Sequence, residues 1–146
     1  MEYKDCTVHS RTQIVLDQGE KVLETLTSHC EKRGIKSGII TALGAVRNAT
    51  VGYYRLSDKQ YVFKEYPEDL ELVSLIGNVS LVDDKPFIHA HVTLGNPDMQ
   101  LVGGHLKEAE VAVTLEVHLI DFNETFMRSH DETIGLNLLN FKRTHL

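Results

Sequence analysis
The sequence predicts an α+β domain: a mostly antiparallel sheet of about seven strands, flanked by one main helix and short helical turns. Three observations carry this. Only the segment between Asp17 and Gly34 repeats its apolar residues at helical spacing. From Ser37 onward, apolar and polar residues alternate with a period of two in runs of strand length, separated by Gly, Pro, Asn and Asp. No strand–helix–strand alternation recurs, which excludes a doubly wound nucleotide-binding fold.

The elements follow in order. Gln13-Ile14-Val15-Leu16 reads as a first strand. Asp17-Gln18-Gly19-Glu20 has the form of a capping box, with Asp as the cap and Glu three residues on. Val22, Leu23, Leu26 and Cys30 then mark one helical face, and Gly34 stops the helix behind Lys32-Arg33. Ser37 to Val46 and Val51 to Leu56 read as two strands with Arg47-Asn48 as the turn between them. Tyr61 to Lys64 is a short strand that Pro67-Glu68-Asp69 breaks. In Leu70 to Val79, Leu72, Ser74 and Ile76 alternate with Glu71, Val73 and Leu75. Asp83-Asp84 forms a turn, and Leu106 to Ala109 is either one helical turn or a loop. Val111, Val113, Leu115 and Val117 alternate with Ala112, Thr114, Glu116 and His118 in a half-buried strand, and Leu136 to Leu139 offers a last one.

At 146 residues, with 42% apolar and 25% charged residues, the chain is read as one globular domain over 1–146. Fifteen basic against twenty-one acidic residues leave a net charge of −6, the wrong sign for a protein that grips phosphates. Lys142-Arg143 is one of the few local basic concentrations. Two cysteines, Cys6 and Cys30, make no disulfide scaffold, and Cys30 is placed as a buried helical thiol. Without an N-terminal apolar run or an eighteen-residue apolar window, the expectation is a soluble cytoplasmic protein with no membrane partner. Gly44-Ala45-Val46 lacks the spacing of a phosphate loop, and no cofactor-binding motif is found.

The chemistry concentrates in Pro86 to Gly95 and Gly103-Gly104-His105. Ile88, Ala90, Val92 and Leu94 alternate with Phe87, His89, His91 and Thr93, so both histidines share one face of a strand. A hairpin pivoting on Pro97 pairs residues whose numbers sum to about 194. His89 then faces His105 with His91 on the diagonal, at Cβ separations of about 5 Å and about 7–8 Å. Gly103-Gly104 either marks a bulge or leaves room for a ligand or another backbone. Three converging imidazoles suit a divalent metal, Zn²⁺ first, with Fe, Ni or Co also compatible. A lone His-X-His pair is more often only a pair of hydrogen-bonding side chains. Glu71, the one acid inside an otherwise apolar strand, is the candidate outer acceptor for a ligating histidine, with Glu116 as second choice and a plain surface carboxylate as the alternative.

With these segments in place, the sequence resembles the plant and prokaryote conserved (PPC) domain, the single-domain prokaryotic relatives of plant AT-hook nuclear-localised proteins. The resemblance rests on Ser37 to Val46, Leu70 to Asn78, Pro86 to Val92 and Val102 to Leu106, and covers nearly the whole chain. It implies an antiparallel sheet of about seven strands, a homotrimer, and a DNA-binding or transcription-linked role. The His-X-His and Gly-Gly-His motifs match those prokaryotic members whose motifs fit a bound metal. Two departures weigh on the DNA role: the chain has no Arg-Gly-Arg-Pro core of an AT-hook. In place of the plant motif Gly-Arg-Phe-Glu-Ile-Leu it has Glu68-Asp69-Leu70-Glu71-Leu72-Val73.

Three functions are therefore weighed. The first is metal binding through His89, His91 and His105. The second is a small metal-dependent enzyme with an activated water at the open metal position. Tyr53, Tyr54, Arg55, Thr41 and Asn78 are candidates to line its pocket, each with a structural alternative, and no catalytic residue is assigned. The third is a DNA-binding or regulatory oligomer, which rests on the resemblance alone.

Overall fold
The computed structural model describes residues 1–141; Lys142-Arg143 lies outside the described residues. The strands are β1 (Val8–Asp17), β2 (Gly38–Arg55), β3 (Gln60–Tyr66), β4 (Leu70–Val82), β5 (Lys85–Gly95), β6 (Leu101–Phe122), β7 (Met127–Asp131) and β8 (Leu136–Asn140), with one helix, α1 (Val22–Arg33). All eight strands belong to one sheet in the order β3-β2-β6-β5-β4-β7-β8, with β1 on β6 and a further β2–β4 pairing. That pairing closes β2, β6, β5 and β4 into a ring. Neighbours are antiparallel except for one parallel contact, Leu81 with Met127. No helix among the described residues is long and apolar enough to cross a membrane.

The core joins Ile40, Leu75, Val79, Ala90, Leu94, Leu115 and Val117 of the sheet to Val22, Leu26 and Cys30 of α1. Fully burying one such aliphatic side chain contributes about 1.5–3 kcal/mol. Burial pushes the Cys30 thiol up to about 12, so it packs as a protonated, inert group.

Four expectations are corrected. The helix begins at Val22, not behind Asp17, because Gly19 N–H donates to Val111 O and Val111 N–H to Glu20 O, both at 2.9 Å. Those bonds tie the turn at Gly19 to β6 and leave Lys21 extended, bridged to Glu110. The cap comes instead from Glu108 on β6, whose carboxylate accepts from Leu23 N at 2.8 Å and Glu24 N at 3.2 Å. Gly34 does end the helix, in the left-handed conformation at φ 67°.

Arg47-Asn48 is no turn: β2 runs through it, with Asn48 at φ 50° and irregular pairing between Arg47 and Thr50. Leu106 to Ala109 is strand, not a helical turn. Leu106 and Ala109 are both buried because the β2–β6 pairing shifts there, and such a bulge places residues three apart on one face. A similar shift between Leu72 and Ser74 turns Leu75 inward and leaves Ile76 65% exposed, reversing the predicted alternation.

Candidate metal centre
β5 buries Ile88, Ala90, Val92 and Leu94 and turns His89 and His91 to the other face, as the period-two pattern predicts. β6 returns beside it, but the pivot is Asp98 rather than Pro97. The Asn96 side chain accepts from Asp98 N at 3.1 Å and Gln100 N at 2.9 Å, and Met99 takes φ 61°. This five-residue loop makes paired numbers sum to 196, so His91 faces His105 and His89 takes the diagonal, the reverse of the predicted roles. The three histidines still converge. Ring centroids lie 5.1 Å apart for His89–His91 and His89–His105 and 5.6 Å for His91–His105. One nitrogen from each falls within 4.8 Å of the others, close enough for the set to hold one ion.

Gly103-Gly104 makes no bulge against β5, where the register is unbroken. It admits another backbone. At φ +156° a Cβ on Gly104 would sit 2.6 Å from the Gly52 carbonyl oxygen. Glycine there lets β6 pass closely between β5 and β2 and so delivers His105 to its partners.

The electrostatics disfavour the charged form of His89 and His105. Burial, the Arg128 cation and the other two histidines lower His89 to about 4. Burial, His91 and Arg128 lower His105 in the same direction. A neutral imidazole carries the lone pair that a metal needs. His105 Nδ1 is buried without a hydrogen-bond partner, a cost that an ion would remove. The donor set therefore fits a divalent metal.

Arg128 of β7 stands beside the cluster, and no sequence motif pointed to it. Its Nη2 lies 3.3 Å from His89 Nδ1 and donates to Asn78 Oδ1 at 3.0 Å; its Nε donates to Ser80 Oγ at 2.8 Å and its Nη1 to Asn137 O at 3.0 Å. A cavity of about 200 Å³ lies among His89, His105, Arg128, the rings of Tyr61 and Phe87, and residues 136–138 of β8. Tyr61 also packs on His105 with ring centroids 4.9 Å apart.

Of the other predicted residues, Asn78 joins the site through Arg128. Tyr54 instead donates to Ile134 O at 2.6 Å, and Arg55 pairs with Asp58. Tyr53 is exposed. Thr41 pairs with Ile76, beside His91. Glu71 is not brought to the histidines. It lies opposite Gly95, five residues along β4 from Ile76, the partner of His91, which is about 17 Å of strand. Glu116 is paired with Val15 and Leu43, eleven residues along β6 from His105.

Fold and site together define a small sheet protein with a strand-borne cluster of three histidines. The sequence model of the Plants and Prokaryotes Conserved domain matches residues 3–123, and the chain belongs to that family. A metal-containing protein from Archaeoglobus fulgidus is similar in structure, with a TM-score of 0.91 and 41% identity over 96% of this chain and 99% of that one. A plant- and prokaryote-conserved protein from Pyrococcus horikoshii gives 0.90 and 35% over 96% and 97%. A Bacteroides thetaiotaomicron protein described as a DNA-binding candidate gives 0.89 and 26% over 94% and 99%. The comparison with curated proteins gives no match.

Proposed function
We propose that this chain binds one divalent metal ion per subunit through His89, His91 and His105, with Zn²⁺ the best fit to three imidazole nitrogens and Fe, Ni or Co compatible. The observation that carries the reading is the approach of the three ligating nitrogens to within 4.8 Å of one another. It is supported by the orphaned His105 Nδ1 and by the depressed protonation of His89 and His105. The Archaeoglobus relative, described as metal-containing, adds weight. When bound, the ion supplies a Lewis-acidic centre with coordination room beyond the three histidines.

The assembly we propose is a homotrimer. Ile76, paired with His91, is 65% exposed, and Ile39 and Leu43 on the same sheet face are 42% and 51% exposed. Closed cyclic association would cover that face and set the metal centre at or near a subunit boundary. A DNA-binding role has only the descriptions of relatives behind it, and the charge of −6 opposes it.

Elemental analysis of untagged protein tests the metal reading. The expected result is close to one ion per chain, lost in the triple alanine variant at His89, His91 and His105. Untagged protein that carries no metal and takes up no Zn²⁺ near neutral pH in calorimetry would refute it.

A further inference from the structure
Among the described residues, the half-buried Arg128 is a cation without an anion. Four of its five N–H groups meet neutral acceptors or His89 Nδ1. Among the described residues no carboxylate forms an ion pair with it. The neutral ring of Phe87 lies against the guanidinium, 5.4 Å from its carbon to the ring centroid. A desolvated guanidinium left beside an open cavity is the arrangement that recognises an oxyanion.

The cavity narrows the ligand. At about 200 Å³ it is smaller than pockets for drug-sized molecules, and Phe87, Leu136 and Leu138 give it apolar walls. One uncommitted N–H suits a monoanion better than a phosphate, which needs several donors. We infer that the cavity between the histidine cluster and the β7–β8 hairpin binds a small monocarboxylate with an apolar body, its carboxylate held by Arg128. His89 and His105 line the same cavity, so the other side of that carboxylate faces the metal centre. Arg128 and β8 lie beyond residues 3–123, so the selecting wall sits outside the segment that the family model matches.

The inference deepens the metal reading and rests on it for the second half of the grip, whereas the Arg128 half is testable on metal-free protein. The probe is isobutyrate, with the neutral isostere isobutyramide as control, titrated by NMR into chelator-treated protein and into Zn²⁺-loaded protein of measured metal content. In metal-free protein isobutyrate should bind with a Kd on the order of 1 mM. It should shift the Arg128 Nε–H and the amides of Asn137 and Leu138, and isobutyramide should bind at least tenfold more weakly. Arg128→Gln should abolish that preference and Arg128→Lys should retain part of it. Zn²⁺ loading should tighten isobutyrate several-fold. Equal binding of acid and amide, or shifts confined to other surfaces of the wild type, would overturn the assignment even if both variants fail to fold. Absence of metal uptake with acid-selective binding intact would count against the metal reading alone.

Discussion

Removing the Glu108 carboxylate tests how the helix is anchored to the strand that carries His105. Lys21 at the helix N-cap offers no side-chain acceptor, so Leu23 N–H and Glu24 N–H depend on Glu108, at 2.8 Å and 3.2 Å. Losing a cap costs about 0.5–2 kcal/mol, and a partly buried charge at a helix N-terminus adds up to about 2 kcal/mol. For Glu108→Ala we expect a loss of about 2 kcal/mol, which lowers Tm by roughly 4–8 °C in a domain of this size. Glu108→Gln, keeping one acceptor but no charge, should cost about half as much. Glu20→Ala is the control. Its carboxylate accepts from Asp17 N at 2.7 Å in an exposed turn outside the helix, so it should cost within about 0.5 kcal/mol. Urea unfolding of the chelator-treated proteins measures all three. If Glu108→Ala unfolds within about 0.3 kcal/mol of wild type, or if Glu20→Ala costs more, the helix is capped as the sequence suggested and the reasoning fails.

The remaining predictions concern the site and its surfaces. Zn²⁺ at one hundred times its Kd should add about 2.7 kcal/mol and raise Tm by roughly 5–11 °C, an effect that chelator reverses and His91→Ala removes. In metal-free protein the His89 imidazole should titrate near 4 by ¹⁵N NMR, and a midpoint at 6 or above would contradict its burial beside Arg128. The sign for stability follows: the unfolded chain takes up this proton below about 6.5 and the folded one only near 4, so stability falls as pH drops through that window. Above it this histidine contributes no pH dependence, and His89→Asn should flatten its part of the profile. Light scattering should give the mass of three chains, and Ile76→Asp, placing a charge on the proposed contact face, should yield monomer; a wild-type monomer at micromolar concentration would sink the shared-face reading. Binding to A·T-rich duplex should be no tighter than about 10⁻⁶ M at physiological salt, and a sequence-specific nanomolar shift would restore the DNA role.

The sequence by itself determined what depends on local periodicity and turn chemistry. Ile88 to Leu94 could alternate only as a strand with both histidines on its outer face, and Gly34 could end a helix because only glycine takes φ 67° without strain. Three imidazoles near one another followed from those facts and one hairpin, and survived a register error because both registers leave one direct and one diagonal neighbour. What failed were the places where one extra residue or a remote partner decides. The bulges at Val73 and near Thr50 reverse which side chains face inward, and a single strand carries no periodic sign of them. Glu108 caps a helix 84 residues away, and Arg128 reaches His89 across 39. Those pairings depend on how β6, β4 and β7 are laid side by side, a long-range packing outcome driven by burial of the whole core. The chain announced the three histidines; only the folded sheet decided what stands beside them.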